Sequence, residues 1–65
     1  GEEDGAVLVD YKTDRIKKGE ETVLRERYRH QMIYYARALS QITGIHVKEA
    51  ILYSLSLQEE IPVPV

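Results

Sequence analysis

Two apolar stretches, at residues 6–13 and 47–57, are separated by one long amphipathic stretch at residues 22–43, and that order confines the chain to very few folds. A strand that reaches the next strand through a helix is a βαβ unit, whose strands run parallel and whose crossover is right-handed. In the first strand Val7, Val9 and Tyr11 share one face, and Leu8, Asp10 and Lys12 share the other, because strand side chains repeat every two residues. The run Val7-Leu8-Val9 is apolar on both faces, as in a strand covered on both sides, and charge arrives only at the C-terminal end. That end is where open α/β sheets place their chemistry.

Residues 14–21 are charged, contain Gly19 and read as a loop, with Thr22 as the N-cap of the helix. Leu24, Tyr28, Met32, Tyr35, Ala38, Leu39 and Ile42 then recur at spacings of three and four, and Gly44 stops the helix as a C′ glycine. In the second strand Ile51, Tyr53, Leu55 and Leu57 alternate with Ala50, Leu52, Ser54 and Ser56. The tail, with Pro62 and Pro64, is not expected to continue a central strand. Since two strands do not make a sheet, a further paired strand is expected from a preceding region or from another copy. An apolar strand such as Ile51–Leu57 left open at its edge favours self-association.

Sixty-five residues allow one small unit, and a chain of this size buries only about 60% of the surface that its unfolded form exposes. With no cysteine, neither a disulfide nor a thiolate metal site can reinforce it, and a reducing cytoplasmic setting fits. Every apolar run falls far below the roughly 18 residues that span a bilayer, so no membrane association is expected. The acidic opening Gly1-Glu2-Glu3-Asp4 is the reverse of a secretory signal and reads, with Gly5, as the cut end of a turn.

A net charge of −2 gives the whole chain no general attraction to nucleic acid, but the charges are unevenly spread. Residues 12–29 hold seven of the nine basic side chains against four acids, a local excess of +3. Taken alone, such a segment is ordinarily a solvated loop and helix face.

The residues that carry chemistry begin with Val9-Asp10-Tyr11-Lys12-Thr13-Asp14. Spacing of two on a strand sets the Asp10 carboxylate beside the Lys12 ammonium at the strand's open end. A hard carboxylate oxygen can ligate Mg²⁺, and a neighbouring lysine can orient a water or neutralise a phosphodiester's developing charge. The plainer account is a strand-end ion pair. Gln31 and Tyr35, four apart, lie on one helix face with Tyr28 one turn back, an arrangement that by itself is ordinary core.

Taken together, Val9-Asp10-Tyr11-Lys12-Thr13-Asp14, Arg25-Glu26-Arg27-Tyr28-Arg29-His30-Gln31 and Tyr35-Ala36-Arg37-Ala38-Leu39 resemble the nuclease domain of AddA and RecB helicase-nucleases, over Gly5 to about Val63. The resemblance implies an α/β fold, a βαβ fragment of a restriction-endonuclease-like PD-(D/E)XK core, with residues 1–65 forming a partial nuclease domain. It implies Asp10 and the Tyr11 carbonyl as metal ligands for Mg²⁺, Lys12 as the catalytic lysine, and Gln31 and Tyr35 as support for the site and the DNA strand. The parent would be an ATP-dependent helicase-nuclease acting as a DNA exonuclease in double-strand-break repair and recombination, partnered by DNA and by an AddB-like second subunit. Further metal ligands of that family come from a histidine on an earlier helix and an aspartate on the strand before Asp10; neither is present here. The 65 residues alone are therefore expected to bind Mg²⁺ weakly and to be inactive.

Arg15, Arg27, Tyr28 and His30 are further candidates for DNA contact, and Asp14 reads as a turn residue or a phosphate neighbour. His46 reads as a solvated loop histidine. No Gly-rich phosphate loop, Ser/His/Asp set or zinc-type histidine spacing is present. Two alternatives stand beside the nuclease reading: a non-catalytic DNA- or protein-interaction module on a degenerate nuclease scaffold, and a restriction or repair nuclease without a helicase.

Overall fold

A computed structural model of the protein describes residues 5–65, in the order β1 (Ala6–Lys12), α1 (Glu21–Thr43), β2 (Val47–Ser54) and β3 (Glu59–Val63). The acidic opening Gly1–Asp4, and with it the expected turn at Asp4, lies outside the described residues. The result is a small mixed α/β unit with one three-stranded sheet, in the order β1-β2-β3, and one helix.

β1 and β2 pair in parallel, as the strand-helix-strand order requires, with Val9 opposite Ile51, Asp10 opposite Leu52 and Lys12 opposite Ser54. The third strand comes from the chain's own tail, not from another region or copy, and pairs antiparallel with β2. β3 contains Pro62, a residue whose presence argues against a central strand, and the strand is indeed at the sheet's edge. A residue's N–H and C=O point to the same side of a strand. The Pro62 carbonyl accepts from Arg25 Nε at 2.7 Å, so the missing N–H also faces the open edge, where no ladder bond is lost.

The second strand, expected to run to residue 57, ends at Ser54, and residues 55–58 turn the chain into β3. Leu55 and Leu57 keep the alternation that suggests a strand, but two hydroxyls capture the backbone. Ser54 Oγ accepts from Leu57 N–H at 3.0 Å; Ser56 Oγ accepts from Ile16 N–H and donates to Ile16 C=O at 2.9 Å. Gln58 completes the turn at φ 56°.

The helix starts one residue before the expected cap, at Glu21, so Thr22 lies inside it. Glu20 occupies the cap position without capping; its carboxylate instead accepts from Lys17 N–H at 2.7 Å, closing the preceding loop. Gly44 ends the helix in the left-handed conformation, φ 74°, and donates its N–H to Ser40 C=O at 2.9 Å.

Leu24, Met32, Ala50, Leu52, Ile61 and Val63 form the core between α1 and the sheet, closed at one end by Ile16 and flanked by Leu8, Tyr28 and Leu57. The buried helix stripe is Leu24, Met32 and Ala36, whereas the expected positions Leu39 and Ile42 are exposed. The last turns of α1 lie beside the start of β1 and β2, where Ser40 Oγ accepts from Val47 N–H at 3.1 Å and Leu39 and Thr43 line an open groove with Ala6, Leu8 and Val47. The opposite sheet face, with Val7, Val9 and Tyr11, is exposed, so the chain itself covers its first strand on one side only. Among the described residues no helix is long and apolar enough to cross a membrane.

Candidate functional site

The C-terminal end of β1 and the middle of α1 meet at Lys12. Its ammonium lies 3.3 Å from Asp10 Oδ2, donates to Gln31 Oε1 at 3.4 Å and sits 4.0 Å from the centroid of the Tyr28 ring. Each contact follows from local geometry. The period of the strand puts Asp10 and Lys12 on the face toward the helix, and Tyr28 and Gln31, three apart on α1, straddle the ammonium. A carboxylate, an amide oxygen and a π face all favour positive charge, and the cation–π contact contributes about 0.5–2 kcal/mol. The side chains remain reachable, Lys12 at 17% and Asp10 at 29% exposure.

The other sequence candidates fall around this centre at different distances. Tyr35, one turn beyond Gln31, is 42% exposed, and its ring lies 5.9 Å from that of Tyr34. The Tyr11 side chain is on the opposite sheet face, 5.5 Å from the Tyr53 ring, so only its backbone belongs to the site's end of the strand. Arg15 and His30 are exposed. Arg27 is engaged, donating to Asp14 Oδ2 at 2.6 Å.

Asp14 is the residue that sequence reasoning undervalued. Besides Arg27, it accepts the Tyr28 hydroxyl at 2.9 Å, so the loop after β1 is tied to α1 and the Tyr28 ring is fixed beside Lys12. The available signal was an acid four residues past Asp10, facing a helix turn that carries Arg27 and Tyr28. The Arg27 guanidinium, with the Tyr28 hydroxyl, holds the Asp14 carboxyl below the usual carboxylate range. Donation to Asp14, and then burial, push the Tyr28 phenol up.

A carboxyl depressed on folding contributes stability that is complete above its unfolded pKa of about 3.9 and is lost as pH falls through the lower folded value. Tyr28→Phe is therefore expected to lower the unfolding free energy at pH 7 by about 1 kcal/mol. The deficit relative to wild type should shrink below about pH 4, as Asp14 takes up its proton. Urea titrations of both chains at pH 7 and pH 3 measure this, and an equal deficit at both pH values would assign the loss to packing instead.

Among the described residues, no group of three or more His, Cys, Asp and Glu side chains is placed to hold a metal ion. Asp10 offers the hard oxygen that Mg²⁺ prefers, but these residues alone do not make a metal site.

The chain is 57% identical over 61 residues to a Lachnoclostridium phytofermentans protein named as an ATP-dependent helicase/nuclease subunit, of the AddA type, covering 92% of this chain and 4% of that protein. Proteins of the same name from Acetivibrio thermocellus and Clostridium perfringens are 56% identical over 52 residues, 80% of this chain, and 48% identical over 62 residues, 95% of this chain. The chain spans only 4–5% of the length of these relatives. No protein-family model matches it, and no solved structure does.

Proposed function

This chain is homologous to one short segment of the AddA-type ATP-dependent helicase/nuclease proteins, and from that premise we propose that it is part of a PD-(D/E)XK-type, Mg²⁺-dependent DNA exonuclease domain. The parent would be a bacterial cytoplasmic helicase-nuclease that processes double-strand breaks for repair and recombination, with DNA as substrate and an AddB-like second subunit. The observation that carries the reading is the Lys12 ammonium held between Asp10 and Gln31 at the open end of a strand.

In this reading Asp10, with the Tyr11 carbonyl, is the chain's contribution to a Mg²⁺ site whose other ligands belong to the rest of the parent. When bound there, Mg²⁺ supplies a lowered pKa for a water and charge screening for the phosphate. Lys12 presents its ammonium to the scissile phosphate, where it neutralises charge that grows in the transition state. Gln31 fixes the direction of that ammonium, Tyr28 supports it from behind, and Tyr35 lies along the path of the strand. Arg15 and His30 are peripheral phosphate contacts. The isolated 65 residues, in which Asp10 is the one carboxylate paired with Lys12 among the described residues, are inactive.

The test is Asp10→Ala in the full-length parent, measured for cleavage of linear DNA and for ATP hydrolysis. Cleavage should disappear while DNA-stimulated ATP hydrolysis continues, and undiminished cleavage would sink the proposal. The lone carboxylate is what favours the second reading, a non-catalytic interaction module. That reading gains if the unaltered parent binds DNA and never cuts it.

A further inference from the structure

We infer that Tyr34, with Arg37 beside it, forms a stacking platform for a nucleobase of single-stranded DNA next to the Lys12–Gln31 pair; the inference rests on the nuclease reading above. Tyr34 is 69% exposed, the most exposed aromatic side chain of the described residues. A lone exposed aromatic is ordinary. What distinguishes this one is its position and its company.

Tyr34 and Tyr35 are three and four residues beyond Gln31, so their rings flank the helix line that leads from Lys12, about 4.5–6 Å further along the axis. The rings lie 5.9 Å apart and are inclined at 58°, so Tyr35 does not stack flat on Tyr34, which stays 69% exposed. Every base offers a π face, and stacking on an aromatic ring holds a strand without reading its sequence.

The charge around Tyr34 suits a polyanion. From Arg27 to the end of the helix at Thr43 there is no acidic residue, while Arg27, Arg29, His30 and Arg37 are all present. Arg27 and Arg29 are committed to Asp14 and Glu26. Arg37, three residues past Tyr34, is exposed and has no acid within a helical turn. Arg37 lies six residues before the helix end at Thr43, outside the last turn where the helix dipole favours a basic side chain, so the dipole accounts for neither Arg37 nor the exposed tyrosine one turn before it. A strand whose phosphate lies at Lys12 can place its next base on Tyr34 with Arg37 against the backbone.

The experiment uses the full-length parent with its partner protein. Single-stranded oligodeoxynucleotides carrying 5-iododeoxyuridine at successive positions are irradiated with protein carrying Asp10→Ala, which prevents cutting, and the crosslinked peptides are identified by mass spectrometry. A crosslink on Tyr34 is expected at one oligonucleotide position, retained in Tyr34→Phe and lost in Tyr34→Ala. In the otherwise unaltered parent, Tyr34→Ala should lower kcat/KM for single-stranded DNA about 5- to 100-fold, chiefly through KM, with Tyr34→Phe within about twofold. Alanine is a strong helix former, so misfolding is not a competing cause at this exposed position.

Cleavage by Tyr34→Ala at the unaltered rate, with the crosslink on other residues, overturns the platform while leaving the nuclease reading intact. Loss of the partner protein from Tyr34→Ala in gel filtration, with unchanged crosslinking, also overturns it and makes this face a protein interface. Persistent cleavage by Asp10→Ala without the Tyr34 change defeats the nuclease reading itself.

Discussion

Lys12→Met in the full-length parent is expected to lower the rate constant for DNA cleavage about 10²- to 10³-fold, with little change in KM. The ammonium sits where the C-terminal end of β1 meets α1, and its three neighbours hold it before any substrate arrives. Because it is preorganised, it needs no rearrangement as charge develops on the phosphate, and its loss falls on kcat. Methionine keeps an aliphatic side chain of similar length and removes the charge. Lys12→Arg should not restore the rate, since a planar guanidinium demands a different approach to Asp10 and Gln31 than a compact ammonium. Single-turnover cleavage of a radiolabelled duplex, with ATP hydrolysis as the control for folding, gives the answer. A rate within about threefold of wild type, far short of the loss expected for a group that stabilises transition-state charge, would leave Lys12 as no more than a strand-end ion pair.

Much of this arrangement is legible from local pattern because the constraints are local. The period of two in Leu8, Asp10 and Lys12 and the period near four in Leu24, Tyr28 and Met32 each point one face of an element at the other, so their meeting follows once the strands run parallel. β3 was not legible for a different reason. Pro62 argues against a central strand but is neutral at an edge, and which position it takes is set by the pairing of β3 with β2, a matter of the whole fold and not of local pattern. The end of β2 was hidden because Leu55 and Leu57 continue the alternation, while the Ser54 and Ser56 hydroxyls that break it make bonds fixed by the fold. Asp14 was hidden because a carboxylate just after a strand suits a turn, and its value lies in two partners on another element.

The same logic separates helix residues that matter for folding from those that look as if they should. Ile42 fits the apolar period of α1 yet is 80% exposed, so Ile42→Ala is expected to change stability by less than about 0.5 kcal/mol. Leu52, which lies in the strand and fits a plain alternation, is fully buried at the centre of β2, with Asp10 opposite it on one side and Ile61 on the other.

Leu52→Ala should cost about 2–5 kcal/mol, because the cavity it leaves lies among backbones pinned on both sides and cannot collapse. A chain of 65 residues has only about 3–10 kcal/mol of stability in all, so this one change removes a large share of it and, at the lower end of that range, unfolds the chain. Urea titration of the isolated chain, followed by far-ultraviolet circular dichroism, should show the midpoint of Leu52→Ala far below that of wild type and that of Ile42→Ala unmoved. The effect carries to the site, because Leu52 is the register partner of Asp10 and loosening β2 releases the strand that aligns Asp10 with Lys12. A Leu52→Ala chain that melts close to wild type would mean that the α1–sheet core does not hold the unit together. The exposed face at Val7, Val9 and Tyr11 would then have to be covered for the Lys12 geometry to persist.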